Sequence, residues 1–281
     1  MVAQVAARLR ALASRAGIDW GRVAGMGYST AGMMDVERGI IFASPNQGPW
    51  RDVPFGALLS EALGLPVRIE MDANAAALGE AWLGAGAGVE HFVYLVVGTG
   101  VGAGLLLGGQ IHRGYRGTAG EIGHTTIDPN GPICNCGNYG CLEALAAGPA
   151  IALRAQGAVL QGRPTRIREL AAPGEITAET VADAARLGDQ VAHEIPEQTA
   201  DYLGLGLANV ITLLSPEVVA LGGGVMRGAG DLLLEPIRRA VARRCGSWVD
   251  IESRRIVLSA LGEEAGLLGA ARLVWEAGGD S

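Results

Sequence analysis

The stretch whose reading decides the fold is Glu121-Ile-Gly-His124-Thr-Thr-Ile-Asp-Pro-Asn-Gly-Pro-Ile-Cys134-Asn-Cys136-Gly-Asn-Tyr-Gly-Cys141-Leu-Glu143. Its spacing, His124-x9-Cys134-x-Cys136-x4-Cys141, supplies one imidazole and three thiolates, the soft tetrahedral set that suits Zn²⁺. All four positions would be protein ligands, which leaves no open position for a catalytic water, so the metal is expected to be structural. The alternative is three unrelated buried thiols beside a surface histidine. A loop this long and irregular is tolerated in a compact domain only if it is functional or stapled, and a metal would hold it. The fourth cysteine, Cys245, stands far away, a distribution that fits metal ligation better than a disulfide framework and a reducing compartment such as the cytoplasm.

Composition narrows the function further. The 281 residues are 49% hydrophobic and 18% charged, enough to bury a core and to form one large or two ordinary domains. The net charge is −7 and the arginines are scattered rather than striped. No nucleic-acid footprint stands out, and a small-molecule partner is expected. Lysine is absent, which excludes a Walker-type GxxxxGK loop, a Schiff-base enzyme and a kinase of the protein-kinase type. No apolar run reaches the ~18 residues of a membrane span, and the amphipathic start from Val2 to Ala13 has neither the apolar stretch nor the cleavage site of a signal peptide.

Working outward from the loop, Phe92 to Ile111 alternates β-branched residues and glycine, which predicts a strand, a glycine turn and a second strand at the start of a new domain. Upstream the pattern is helix over 2–15, strand over 23–29, helix over 55–63, strand over 67–71, then a long helix over 73–83 capped by Asp72. Downstream it predicts helices over 178–195 and 197–214, a strand from Val218 to Leu221 running into Gly222–Gly224, a last strand over 255–259 and a final helix over 265–276.

Three places carry chemistry. The turn Gly98-Thr99-Gly100-Val101-Gly102-Ala-Gly104 follows an apolar strand, where glycines let backbone N–H groups crowd a phosphate and Thr99 adds a hydroxyl; a hairpin without ligand is the alternative. Asp72, at a strand-to-helix junction, can take a proton from an attacking hydroxyl, or serve simply as an N-cap. Glu121, His124 and Glu143 offer the paired hydrogen bonds that recognise sugar hydroxyls, although a solvated surface is the commoner fate of a lone glutamate.

The Glu121–Glu143 stretch resembles the signature of the ROK family of sugar kinases and sugar-responsive repressors, and the resemblance extends across nearly the whole chain. Gly27-Tyr-Ser-Thr-Ala-Gly32-Met-Met-Asp35 and Ser44-Pro-Asn46 through Trp50 resemble the family's sugar-pocket segment, and Leu221-Gly-Gly-Gly-Val225 its nucleotide strand and turn. The resemblance implies two α/β lobes of the actin-like ATPase (ribonuclease H-like) class, residues 1–89 with 264–281 and residues 90–263, with the ligand cleft between them. It implies Asp72 as general base; Gly32, Asn46, Asp72, Glu121, His124 and Glu143 around a hexose; and Gly98, Thr99, Gly100, Gly102 and Gly222–Val225 around ATP with Mg²⁺. Glucose is the first expectation and N-acetylated hexosamines the next, in a homodimer or homotetramer. A non-catalytic sugar-binding or regulatory protein of the family is the rival reading; the helix-turn-helix of its repressors is not visible.

The sequence departs from the family pattern in places. No DxGGT-type turn occurs, and Met1 falls just before the helix that follows the family's first strands. A first lobe without its initial strands, an unpaired sheet edge and an impaired kinase are therefore expected, through either a start codon placed too far downstream or a truncated product. Met71 replaces an asparagine whose amide would bond a sugar hydroxyl, and Ala31 replaces a proline before Gly32.

Overall fold

The computed structural model describes residues 1–43, 50–171, 175–247, 249–251 and 254–278. Asn46 lies outside them, and so does most of the Ser44–Trp50 segment. In α1 (Val2–Arg15), Val2, Val5, Ala6 and Leu9 recur at helical spacing and face one hydrophobic cluster. Next come β1 (Met26–Thr30), the irregular hairpin of β2 (Met33–Asp35) and β3 (Ile40–Ala43), and α2 (Phe55–Leu63), which Gly64 ends in the left-handed conformation. The i, i+4, i+8 residues Phe55, Leu59 and Leu63 of α2 are wholly buried against Met34, Ile41 and Ile69. β4 (Val67–Met71) pairs in parallel with β1, from Met26 opposite Val67 to Thr30 opposite Met71. Among the described residues no further strand joins these two. The chain then enters α3 (Asp72–Leu83).

The second sheet begins with β5 (Phe92–Val97), β6 (Val101–Leu107) and β7 (Gln110–Ile111). After the Cys/His loop come α4 (Leu142–Ala146), α5 (Gly148–Leu160), α6 (Ile167–Leu170), α7 (Ala178–Arg186) and α8 (Gln190–Leu214). The chain ends with β8 (Val218–Gly222), α9 (Gly224–Arg244), β9 (Arg255–Leu258) and α10 (Ala265–Gly278). The strand order is β7-β6-β5-β8-β9, parallel for β5/β8 and β8/β9 and antiparallel for the rest. Strands β5 and β8 are central and buried on both faces, so each reads as a continuous apolar run. The two-residue period sorts their side chains: Val93, Leu95 and Val97 face the large core under α4 to α9, while Phe92 and Tyr94 face α3.

Small residues let α3 fit between that sheet and α10. A Cβ on Gly79 would lie 2.2 Å from the Ala265 carbonyl oxygen, and one on Gly269 would lie 1.6 Å from that of Ala75. The chain passes from α3 to β5 through residues 84–91 and from β9 to α10 through 259–264. Glu80, fully buried near the end of α3, touches both crossings. Its carboxylate accepts the N–H of Ala85 at 2.7 Å, that of Leu261 at 2.8 Å and the Ser259 hydroxyl.

Three expectations change. Asp72 is the first helical residue rather than the cap, because Met71 holds the extended cap conformation and Asp72 Oδ1 accepts the adjacent Ala73 N–H at 2.8 Å, not the N–H two or three residues on that a cap accepts. The helix pair after residue 177 breaks at Leu187–Asp189, where Gly188 takes φ 82° and Asp189 caps α8. Pro196 instead rides inside α8, where the Thr199 hydroxyl bonds the Ile195 carbonyl. The first strand starts at Met26 rather than 23.

Candidate active site

Strand β4 delivers Asp72 to a helix N-terminus at the edge of the two-stranded sheet, exposed to solvent. On the opposite bank the glycine turn joins β5 to β6. Gly98 N–H bonds the Gly100 carbonyl at 2.9 Å, and Thr99 projects outward at the tip. Glu143, on the first turn of α4, reaches into this turn: its Oε2 accepts Val101 N–H at 3.0 Å and lies 2.5 Å from where a Cβ on Gly100 would sit. A side chain at Gly100 would therefore push the Glu143 carboxylate off this hydrogen bond. Gly102 is already inside β6, opposite Val96 and facing Ala73, so the turn proper is Gly98–Val101.

The turn of Ile122–His124 packs on the start of β6 so closely that a Cβ on Gly123 would lie 2.0 Å from the Val101 carbonyl oxygen. This seats Glu121 and His124 beside the glycine turn. His124 Nε2 lies 3.9 Å from Glu121 Oε2, and its Nδ1 lies 3.7 Å from Cys134 Sγ. One nitrogen thus faces the cleft and the other the thiols. Partial burial raises the Glu121 pKa, His124 opposes the rise, and the charges of Asp72 and Glu143 add to it. Gly32 holds φ 131°, a conformation glycine alone adopts readily, in the turn from β1 to β2.

Cys136 Sγ lies 3.7 Å from Cys141 Sγ, and the four candidate ligand atoms all lie within 4.8 Å of one another. A Zn²⁺ tetrahedron with bonds of about 2.3 Å has edges of about 3.7 Å, so the cluster fits the ion and the sulfurs are too far apart for disulfides. Bridges between Thr126 and Cys141 and between Ile133 and Tyr139 fold the loop into place. Burial, then the neighbouring thiols of Cys136 and Cys134, pushes Cys141 up to about 12, whereas the Asn138 N–H draws the exposed Cys136 thiol down. A cation would offset the burial that keeps Cys141 protonated.

Beyond the turn, two helix N-termini meet. Gly148, at the start of α5, donates its N–H to the Gly98 carbonyl at 2.8 Å, and Gly224 opens α9 against Gly98. Gly223 stands at φ 89° with Val97 so near that a Cβ would lie 2.4 Å from its carbonyl oxygen, and Gly222 abuts the Tyr94 hydroxyl. At the start of α5 the Gly148 N–H is taken by Gly98 and Pro149 has none, so the N–H groups that make a place for an anion are those opening α9. They border a cavity of about 1050 Å³ whose lining includes Gly98, Thr99, Gly148, Ile176, Val225 and Arg227. Gly148, Ile176 and Arg227 were not singled out in the sequence. The Gly148-Pro149 pair was the available signal, since proline favours the first turn of a helix.

A family model described as ROK family matches residues 7–277. The chain belongs to the ROK family. Its α/β fold is that of the actin-like ATPases, shared with ROK kinases of known structure. It is 40% identical to a glucokinase of Thermotoga maritima over 89% of this chain and 79% of that protein. A ROK family glucokinase from Streptomyces griseus, solved in complex with glucose and AMPPNP, is 33% identical and superimposes with a TM-score of 0.82, covering 97% of this chain and 88% of that one. A xylose repressor of Caldicellulosiruptor bescii is 34% identical over 90% of this chain but only 62% of its own length. ROK members of both kinds thus match this chain, and among the described residues no helix is long and apolar enough to cross a membrane.

Proposed function

We propose that this ROK protein binds a hexose between Asp72 and the Glu121/His124/Glu143 bank and phosphorylates one of its hydroxyls from ATP, glucose being the first candidate and N-acetylated hexosamines the next. The observation that carries the reading is the bank of Glu121, His124 and Glu143 seated on the glycine turn Gly98–Val101, which borders a cavity of about 1050 Å³, with Asp72 acting electrostatically on the Glu121 carboxyl. Gly32 and Asn46 complete the proposed sugar contacts. Gly98, Thr99, Gly100 and Gly222–Val225 hold the nucleotide, with Gly102 supporting the turn from within β6. We take the working units to be residues 1–89 with 264–281 and residues 90–263, with the ligands between them.

In the reaction, Asp72 accepts the proton of the sugar hydroxyl as that oxygen attacks the γ-phosphorus. The bond to the β–γ bridging oxygen breaks, and ADP leaves. The backbone N–H groups at the turn and at the start of α9 oppose the phosphate charge, and Mg²⁺ arrives with the ATP and neutralises it further. His124, Cys134, Cys136 and Cys141 would hold a structural Zn²⁺, which fixes the loop. We read the protein as cytoplasmic, where its thiols stay reduced, and as a homodimer or homotetramer.

The similarity to xylose repressors favours a second reading, in which the same cleft senses sugar without transferring phosphate. Two measurements separate them: the melting temperature with a panel of hexoses, hexosamines and xylose, and ADP release with the same sugars. Sugar-dependent ADP release supports the kinase, a thermal shift without ADP supports the sensor, and neither response removes both.

A further inference from the structure

Glu70 is a fully buried carboxylate that the proposed reaction does not use. It stands on β4, two residues before Asp72, and each of its oxygens has a separate task. Oε1 accepts Met71 N–H at 2.9 Å and the Asn74 side-chain amide at 3.0 Å, which grips the turn carrying Asp72 from both sides. Oε2 accepts Arg113 Nε at 2.8 Å and Nη2 at 2.7 Å. Arg113 lies in the loop that leaves β7 of the other sheet. Its carbonyl accepts Ala119 N–H at 3.0 Å and so pinches off a loop in which Gly114, Arg116 and Gly117 all have positive φ. That loop reaches across to β2, where a Cβ on Gly117 would lie 3.1 Å from the Met34 carbonyl oxygen. The chain continues from Ala119 through Gly120 directly into Glu121.

We infer that Glu70 is a positioning residue of the sugar pocket: paired with Arg113, it fixes the Asp72 turn relative to the segment that carries Glu121 and His124. The two banks come from different sheets, and this ion pair joins them beside the pocket, whereas Glu80 joins them at the chain crossings. A guanidinium fork on a buried carboxylate holds direction as well as distance, which a surface pair would not.

The inference rests on the sugar-pocket reading above, and its test uses the full 281-residue chain. Glucose and N-acetylglucosamine are titrated calorimetrically into wild type, Glu70→Gln, Arg113→Lys and Arg113→Ala, well below each melting point. A non-hydrolysable ATP analogue is titrated into the same proteins. Glutamine keeps the shape of Glu70 but turns an amide donor or a neutral oxygen toward Arg113, while lysine keeps the charge and loses the fork. Sugar affinity is expected to fall on the order of tenfold or more in Glu70→Gln and Arg113→Ala, the scale of one charge-assisted hydrogen bond, and less in Arg113→Lys. Nucleotide affinity and metal content should be unchanged, since their ligands lie on the five-stranded sheet and its loops. Should Arg113→Ala fail to fold, the two milder variants decide. Wild-type sugar affinity retained in both, with only the melting temperature lowered, would make the pair merely structural and overturn the inference. A wild type that binds neither sugar overturns the sugar-pocket reading, and this assignment goes with it.

Discussion

Glu143 Oε2 and the backbone N–H of Val101 are 3.0 Å apart, so a residue expected at the sugar is tied to the phosphate turn. Glu143→Ala should abolish the hexose-induced rise in melting temperature and also weaken nucleotide binding, because the turn loses the acceptor that shapes it. The loss should approach the ~1.5–3 kcal/mol of a hydrogen bond to a charged group. Glu143→Gln retains an acceptor for Val101 and should keep most of the nucleotide affinity. Calorimetry with an ATP analogue checks both variants, and equal nucleotide affinity in Glu143→Ala and wild type would remove the structural tie.

The Cys/His cluster should carry about one zinc per chain in protein purified without chelator, with the His124 nitrogen in the coordination sphere. Cys136→Ser should lower metal content and melting temperature together, since loop order and metal binding are coupled. Undamaged wild type without metal by elemental analysis would defeat the assignment.

Phosphoryl transfer by the polypeptide of residues 1–281 should be slow, because the transferred phosphate finds the glycine turn Gly98–Val101 and the start of α9 but no DxGGT-type turn among these residues. Loss of one preorganised donor costs other enzymes about 10²- to 10³-fold, which sets the scale of the deficit. Asp72→Asn should remove whatever sugar-dependent ADP release remains while leaving nucleotide binding intact. Rapid turnover by residues 1–281 would refute the first statement, and undiminished release in Asp72→Asn the second.

Asp189 gives a pH signature of folding. Burial alone would raise its pKa, but the N–H groups of Ala192 and Arg166 and the Thr165 hydroxyl outweigh it and hold the carboxyl below its ordinary value. A folded pKa below the unfolded one means that the stabilisation is present above the unfolded value of about 3.9 and is lost as pH falls through the folded value. Asp189→Ala should therefore cost about 1–2 kcal/mol at pH 7, as loss of a helix cap does, and progressively less below about pH 4. Urea unfolding of both proteins at pH 7 and at the lowest pH where they stay folded measures this; a constant difference would rule the carboxylate out as the cause.

Short-range signals were legible in the sequence: the 3.6-residue period of α1 and α2, the alternation of Val67, Ile69 and Met71 in β4, the apolar runs of β5 and β8, and the spacing of His124 and three cysteines, whose side chains do meet. What escaped depends on partners distant in the chain. Nothing near Glu70 announces Arg113, and nothing near Gly98 announces Gly148 or Ile176, because those contacts exist only once the sheets have assembled. Pro196 falls in the gap between the expected helices 178–195 and 197–214, yet the Asp189 cap and the burial of Val191, Ile195 and Leu203 carry α8 through it. Helices α5 and α9 are rich in glycine and alanine, which blurs the amphipathic pattern that marks α2.

Glu80 binds the two segments where the chain changes sheets, and it binds them to each other. If the halves swing about these crossings, the motion is a rotation around a carboxylate that keeps its donors throughout. Flexibility would then reside in which way the halves face, with the pivot itself staying ordered. Hydrogen exchange should read this out in an unaccustomed place: the amides of Ala85 and Leu261, though both lie outside helix and strand, should exchange as slowly as those of the adjoining helices, with or without sugar.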